Sequence, residues 1–260
     1  MNIWSFVISF LLVYILMSLF MASKQNGGNK RLMSMLDVFK EEEEFFNTAN
    51  EVIASEKSPV LLEKEKVIKL WGEAYHNRDE DFLKSLEEVN LDTLVGDTRM
   101  KKSYEANEDA FFYLYLVIPN NLYSKGKLET IKAVDEKLKA VEEPLGKSLI
   151  QAIAKENRKY YFEEGDRGKE FYERVMDGDY GEYEYSKQLI GLYKGMVSAM
   201  LLSLYEKEDK KDKYEDLIPA VEAFSQTALG KRWLGEINLT LPNETQEETS
   251  EEVKEEDKTE

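Results

Sequence analysis

The sequence predicts an all-α chain, with an N-terminal transmembrane helix followed by a helical domain. Three observations carry this expectation. Ile3 to Met21 is an unbroken apolar run, apolar residues recur at three- and four-residue steps through most of the chain beyond it, and no segment sustains a period-two alternation. The 260 residues divide into an anchor at 1–22, a short linker at 23–30, a helical domain at 31–239 and an acidic tail at 240–260.

At helical rise the 19 residues from Ile3 to Met21 cover roughly 28 Å, close to the hydrocarbon thickness of a bilayer. A secretory signal would carry a basic segment ahead of the run and small residues at its end; here no Lys or Arg precedes it, and Phe20 and Met21 close it. Trp4 at one edge and Lys24 at the other suit interfacial anchoring. Lys24, Lys30, Arg31 and Lys40 all come after the span, which predicts an N-terminus outside and a cytoplasmic C-terminal domain. Gln25 to Asn29 contains Gly27-Gly28 and reads as a flexible linker. In the tail, nine acidic residues against Lys254 and Lys258, with almost no large apolar side chain, predict disorder.

Between linker and tail, apolar stripes predict helices over Arg31 to Ser55, Val60 to Ala74, Asp109 to Tyr123, Leu128 to Val141, Leu145 to Phe162, Glu182 to Glu206 and Tyr214 to Leu229. Ser58-Pro59 suits a helix start. Polar breaks at Asn77 to Asp79, Ser124 to Gly126, Gly165 to Gly168 and Lys207 to Asp212 predict four antiparallel hairpins. Their leading helices end near Tyr75, Tyr123, Phe162 and Tyr205, a recurrence of roughly 40 residues.

Leu70-Trp71-Gly72-Glu73-Ala74-Tyr75 and Lys159 to Asp166 resemble the tetratricopeptide family, which has an aromatic-rich first helix and a turn before the second. The resemblance covers Val60 to Ile237 and implies a stacked hairpin array with a concave, peptide-binding face. The alternative from the pattern alone is an irregular helical bundle.

A net charge of −17 opposes phosphate tracking, so nucleic acid is not expected as a partner. The chain has no cysteine, which excludes a disulfide framework, a thiolate nucleophile and a cysteine metal site. Glu73 and His76 make a Glu-x-x-His step, but a di-iron bundle needs that motif from two helices and His76 is the only histidine; a surface or loop-edge histidine is the better reading. Asp177-Gly178-Asp179-Tyr180-Gly181 lacks the glycine and terminal acid of a calcium loop and reads as an acidic turn. No phosphate loop or dinucleotide fingerprint occurs, so no cofactor and no metal are expected.

Aromatic clusters at Phe111 to Tyr115, Tyr160 to Phe162 and Tyr172 to Tyr185 go round their helices, so some rings face away from the core. With Gly181 to Ala199 as one helix, Leu189, Leu192, Tyr193 and Met196 form the core stripe. Tyr183, Lys187 and Gln188 are then the candidate partner-binding residues on another face. The expected function is a membrane-tethered, non-enzymatic adaptor or scaffold that binds a protein or peptide partner. Alternatives are an enzyme or small-ligand binder using inward-facing helix carboxylates, and the same adaptor displayed outside, where the sequons at Asn238 and Asn243 would matter.

Overall fold

The structure, a computed structural model, describes residues 28, 30–96, 107–162, 167–208, 211–227 and 229–234. The run Ile3 to Met21, most of the linker, the sequons and the acidic tail lie outside the described residues. Among the described residues the chain is all-helical, and its one β feature is an isolated parallel bridge between Ser148 and Glu184. No described helix is long and apolar enough to cross a membrane.

The first stripe divides in two. Residues 30–37 form α1 and Glu42–Ser55 form α2. The acidic run Glu42 to Glu44 sits in the first turn of α2, where carboxylates favour a helix N-terminus, so a new helix starts there. Phe39, in the turn between them, is fully buried, its ring 4.1 Å from that of Trp71. Gly28 and Lys30, within the expected linker, are helical, and Gly28 is buried against Leu61.

Pro59–Tyr75 is α3, with Pro59 in its first turn as the sequence predicts. The hairpin partner after it is α4, Asp79–Glu88, followed by the short α5, Leu91–Val95, whose Asn90 side chain accepts from the Thr93 N–H. Helix α6 runs through Glu108–Phe112, a π-helical stretch Tyr113–Val117, and Ile118–Ser124. Next along the chain come α7, Leu128–Leu145; α8, Leu149–Phe162; α9, Lys169–Asp177; α10, Ile190–Lys207; α11, Lys211–Ser225; and α12, Gly230–Trp233.

Two helices are buried nearly all round and form the centre. In α6, Phe111, Leu114, Leu116, Val117, Ile118 and Leu122 are fully buried; in α10, every residue from Gly195 to Tyr205 is buried. Close approach is built in by glycine. Gly195 lets α11 lie against α10, since a Cβ there would stand 2.5 Å from Phe224 Cδ2, and Gly72 admits the Phe45 ring of α2 in the same way.

Helix α10 reaches past the α8 and α9 hairpin to α6. The Tyr193 hydroxyl donates to Glu108, the Tyr193 ring lies 5.4 Å from Phe112, and the Asn120 amide lies 3.6 Å from Met196 Sδ. A linear repeat array confines contacts to neighbouring units. The contacts of Tyr193 and Met196 join hairpins that are not consecutive in the chain.

Candidate functional site

Between α6, α7 and α8 lies a groove of about 520 Å³. Its floor comes from α6, where Tyr115, Pro119 and Tyr123 recur at four-residue steps along one face. One wall is α7, with Asp135, Leu138, Lys139 and Glu142; the other is α8, with Gln151, Ala154, Lys155 and Arg158. Each wall repeats the steps three, four and seven, with an apolar residue, Leu138 or Ala154, turned toward the interior.

Pro119 explains the shape of the floor. It offers no N–H, and in a regular α-helix its ring would clash with the carbonyl of Tyr115 four residues earlier. The π-helical stretch Tyr113–Val117 immediately before it widens the turn there, with the Ile118 N–H bonding to the Tyr113 carbonyl. The helix therefore continues through the proline without breaking, and Tyr115 and Pro119 both reach the groove.

The electrostatics are divided. Asp135 and Arg158 pair at 2.8 Å across one end. Lys139 turns to Glu136 on its own helix, 2.5 Å away. Among the described residues neither Lys155 nor Glu142 has an ion-pair partner. Burial, reinforced by the charges of Glu142 and Asp135 at Tyr115 and of Asp135 at Tyr123, pushes both phenols up to about 12. They stay protonated at neutral pH. The Gln151 amide lies 3.4 Å from the Tyr115 hydroxyl, and beyond Tyr123 the rings of Tyr161 and Phe162 continue the apolar edge at 5.3 and 5.2 Å. Phe162 is 47% exposed. An apolar floor bearing phenolic hydroxyls between charged rims is a composition suited to binding.

The predicted site residues fall elsewhere. Tyr183, Lys187 and Gln188 are exposed as expected, but on the loop before α10 rather than on a helix face, because α10 starts at Ile190 instead of near Gly181. The backbone of Glu184 is taken up by a different partner. Its carbonyl accepts from Leu149 N at 2.9 Å and its N–H donates to the Lys147 carbonyl at 2.8 Å, which holds the segment extended against the start of α8. The Tyr183 ring lies 6.2 Å from Phe171. Of the expected core stripe, Tyr193 and Met196 are fully buried, while Leu189 and Leu192 are half-buried against the core.

His76 closes α3 at the loop edge. Its Nε2 donates to the Phe39 carbonyl at 2.8 Å, within a box formed by the rings of Phe39, Phe45, Phe46 and Tyr75. Asp179 forms an acidic turn, accepting from Arg174 Nε at 2.8 Å and the Gly181 N–H at 3.1 Å, contacts that hold its carboxyl below the usual range. Among the described residues no three acids or histidines are grouped to hold a metal.

Among the described residues four glutamates are buried, and each ties helices together. Glu63 accepts from Lys66 and from the Asn90 N–H, Glu65 pairs with Arg31 at 2.8 Å, Glu73 accepts from Ser85 at 2.8 Å with Lys69 nearby, and Glu108 accepts from Tyr193. Burial pushes the Glu65 and Glu73 carboxyls above their ordinary value, against the lowering effect of these partners. None of the four lines the groove. Comparison with protein-family models, with curated proteins and with solved structures finds no match to this chain.

Proposed function

We propose that the chain is a membrane-tethered adaptor without chemistry of its own, held by Ile3 to Met21, whose cytoplasmic helical domain binds a segment of a protein partner in the groove between α6, α7 and α8. The observation that supports this reading most is the groove itself. It combines a phenol-lined apolar floor with unpaired charge on both rims, and its two carboxylates, Asp135 and Glu142, lie two helical turns apart with Asp135 paired to Arg158. The reading through helix carboxylates is weaker, because the buried glutamates are engaged with lysine, arginine, serine, tyrosine and backbone donors, and none of them lines the groove.

A photoreactive amino acid placed at Lys139 in the groove, at Lys187 on the loop before α10, and at Glu129 on α7 outside both provides the test. Irradiation of intact membranes is expected to give a discrete adduct with one protein from position 139 and none from 129. An adduct from 187 alone would move the site to the tyrosine loop. Absence of any protein adduct at all three would overturn the adaptor reading.

A further inference from the structure

The chemistry of the groove narrows what it holds, provided the adaptor reading above stands. From Tyr115 to Tyr123 the floor extends about 12 Å at helical rise, the length of about four extended residues. A short extended segment of about four residues matches that length.

Charge then sets its sequence. Asp135 and Arg158 close one end of the groove on each other, and Lys139 is turned to Glu136. The charges left open to a ligand are Lys155 on the α8 rim and Glu142 on the α7 rim, neither of which has an ion-pair partner among the described residues. Asp135 opposes Arg158 where α7 and α8 face each other, and the chain turns back between Leu145 and Leu149, so the two helices run antiparallel. In that register Lys155 and Glu142 stand about one helical turn apart along the groove, roughly 5–6 Å. An extended chain covers that distance in two residues, and residues two apart point the same way while the one between points opposite.

We propose that the groove recognises an extended segment of a partner protein in which one acidic and one basic residue flank a single apolar residue. The apolar side chain lies down on Tyr115, Pro119 and Tyr123, the carboxylate meets Lys155, and the cationic group meets Glu142. Both chain directions fit, because reversing the strand exchanges the two flanking positions.

The test uses the full-length chain in nanodiscs and fluorescein-labelled octapeptides with a Glu-Leu-Lys, Lys-Leu-Glu, Glu-Leu-Glu or Lys-Leu-Lys centre between Gly-Ser arms, read by fluorescence anisotropy. The two mixed-charge peptides are expected to bind about equally, and each about fivefold more tightly than either same-sign peptide, as one or two exposed ion pairs allow. K155E is expected to switch the preference to Lys-Leu-Lys and E142K to Glu-Leu-Glu, while the double exchange K155E/E142K restores the preference for mixed charge. Both positions are exposed, and unchanged helical circular dichroism checks that the fold is retained. Equal binding of all four peptides, no binding of any, or a preference unmoved by K155E overturns the inference. If a crosslinked partner still forms at position 139 in that case, the adaptor reading stands and the rule for its ligand falls; if none forms, both fall.

Discussion

Tyr115 and Tyr123 occupy the groove floor with their rings mostly buried and no cation paired to their oxygens, so the neutral phenol is the form the fold favours. Both ionise near 12 in the folded chain against about 10 in the unfolded chain. The native state therefore retains protons that the unfolded state gives up. Their contribution to stability is fully present below pH about 10 and is lost as pH rises toward about 12. Alkaline titration of phenolate absorbance should show a late-ionising group of tyrosines that includes Tyr115 and Tyr123 beside Tyr160 and Tyr205, which burial also raises, and chemical denaturation should show stability falling across the same window. A late-ionising fraction that is no smaller in Tyr115→Phe/Tyr123→Phe than in wild type would contradict the buried floor. The sequence makes these rings conspicuous but does not assign them to a face. Tyr115, Pro119 and Tyr123 keep a four-residue step, yet that signal is hidden within a run where Phe111, Phe112, Leu114 and Leu116 are apolar on every other side.

At the scale of elements, periodicity locates helices well where one face is buried and poorly where local chemistry intervenes. Helix α3 matches its stripe because Pro59 and the turn at His76 bound it. The helix expected from Glu182 is absent over its first eight residues because the backbone of Glu184 bonds to Lys147 and Leu149, a pairing 35 or more residues away that no local pattern encodes. The groove is hidden from the sequence for a related reason. Its walls, α7 and α8, read as ordinary amphipathic helices, and only their separation over the π-helical stretch of α6 leaves the space between them. Packing at this scale is tight where α10 meets α11. Alanine in place of glycine within a helix ordinarily stabilises by up to about 1 kcal/mol, but at Gly195 the new methyl would meet the Phe224 ring at 2.5 Å. Overpacking of that kind costs about 1–3 kcal/mol, so Gly195→Ala should lower the denaturant midpoint with the slope unchanged. Gly191→Ala, on the same helix with open space around it, should leave stability equal or raise it. A stabilising Gly195→Ala would show that α11 is not seated on α10.

For the whole molecule, the placement of the domain relative to a membrane depends on residues before Gly28. Gly28 packs on Leu61, so at most six residues, Ala22 to Gly27, separate the end of the apolar run from the folded part. Six residues span no more than about 20 Å when fully extended, which keeps a tethered domain at the bilayer surface, within reach of partners at the same membrane. A net charge of −17 works against close adsorption to an anionic leaflet, so in the tethered reading the apolar run is the means of retention. Orientation in the tethered reading rests on Lys24, Lys30 and Arg31, all on the C-terminal side of the run, because positive residues near a span remain on the cytoplasmic side whatever the acidic residues beyond them. Protease added to intact cells should therefore leave the domain whole, and the same protease should cleave it once the membrane is opened. Moving the charge asymmetry provides the stronger form of the test. Replacing Lys24, Lys30 and Arg31 with Gln while inserting three lysines after Met1 should expose a fraction of the domain to external protease, provided the run spans the bilayer. Digestion of the wild-type domain in intact cells would place it outside, and recovery of the whole chain in the soluble fraction after lysis would rule out the anchor.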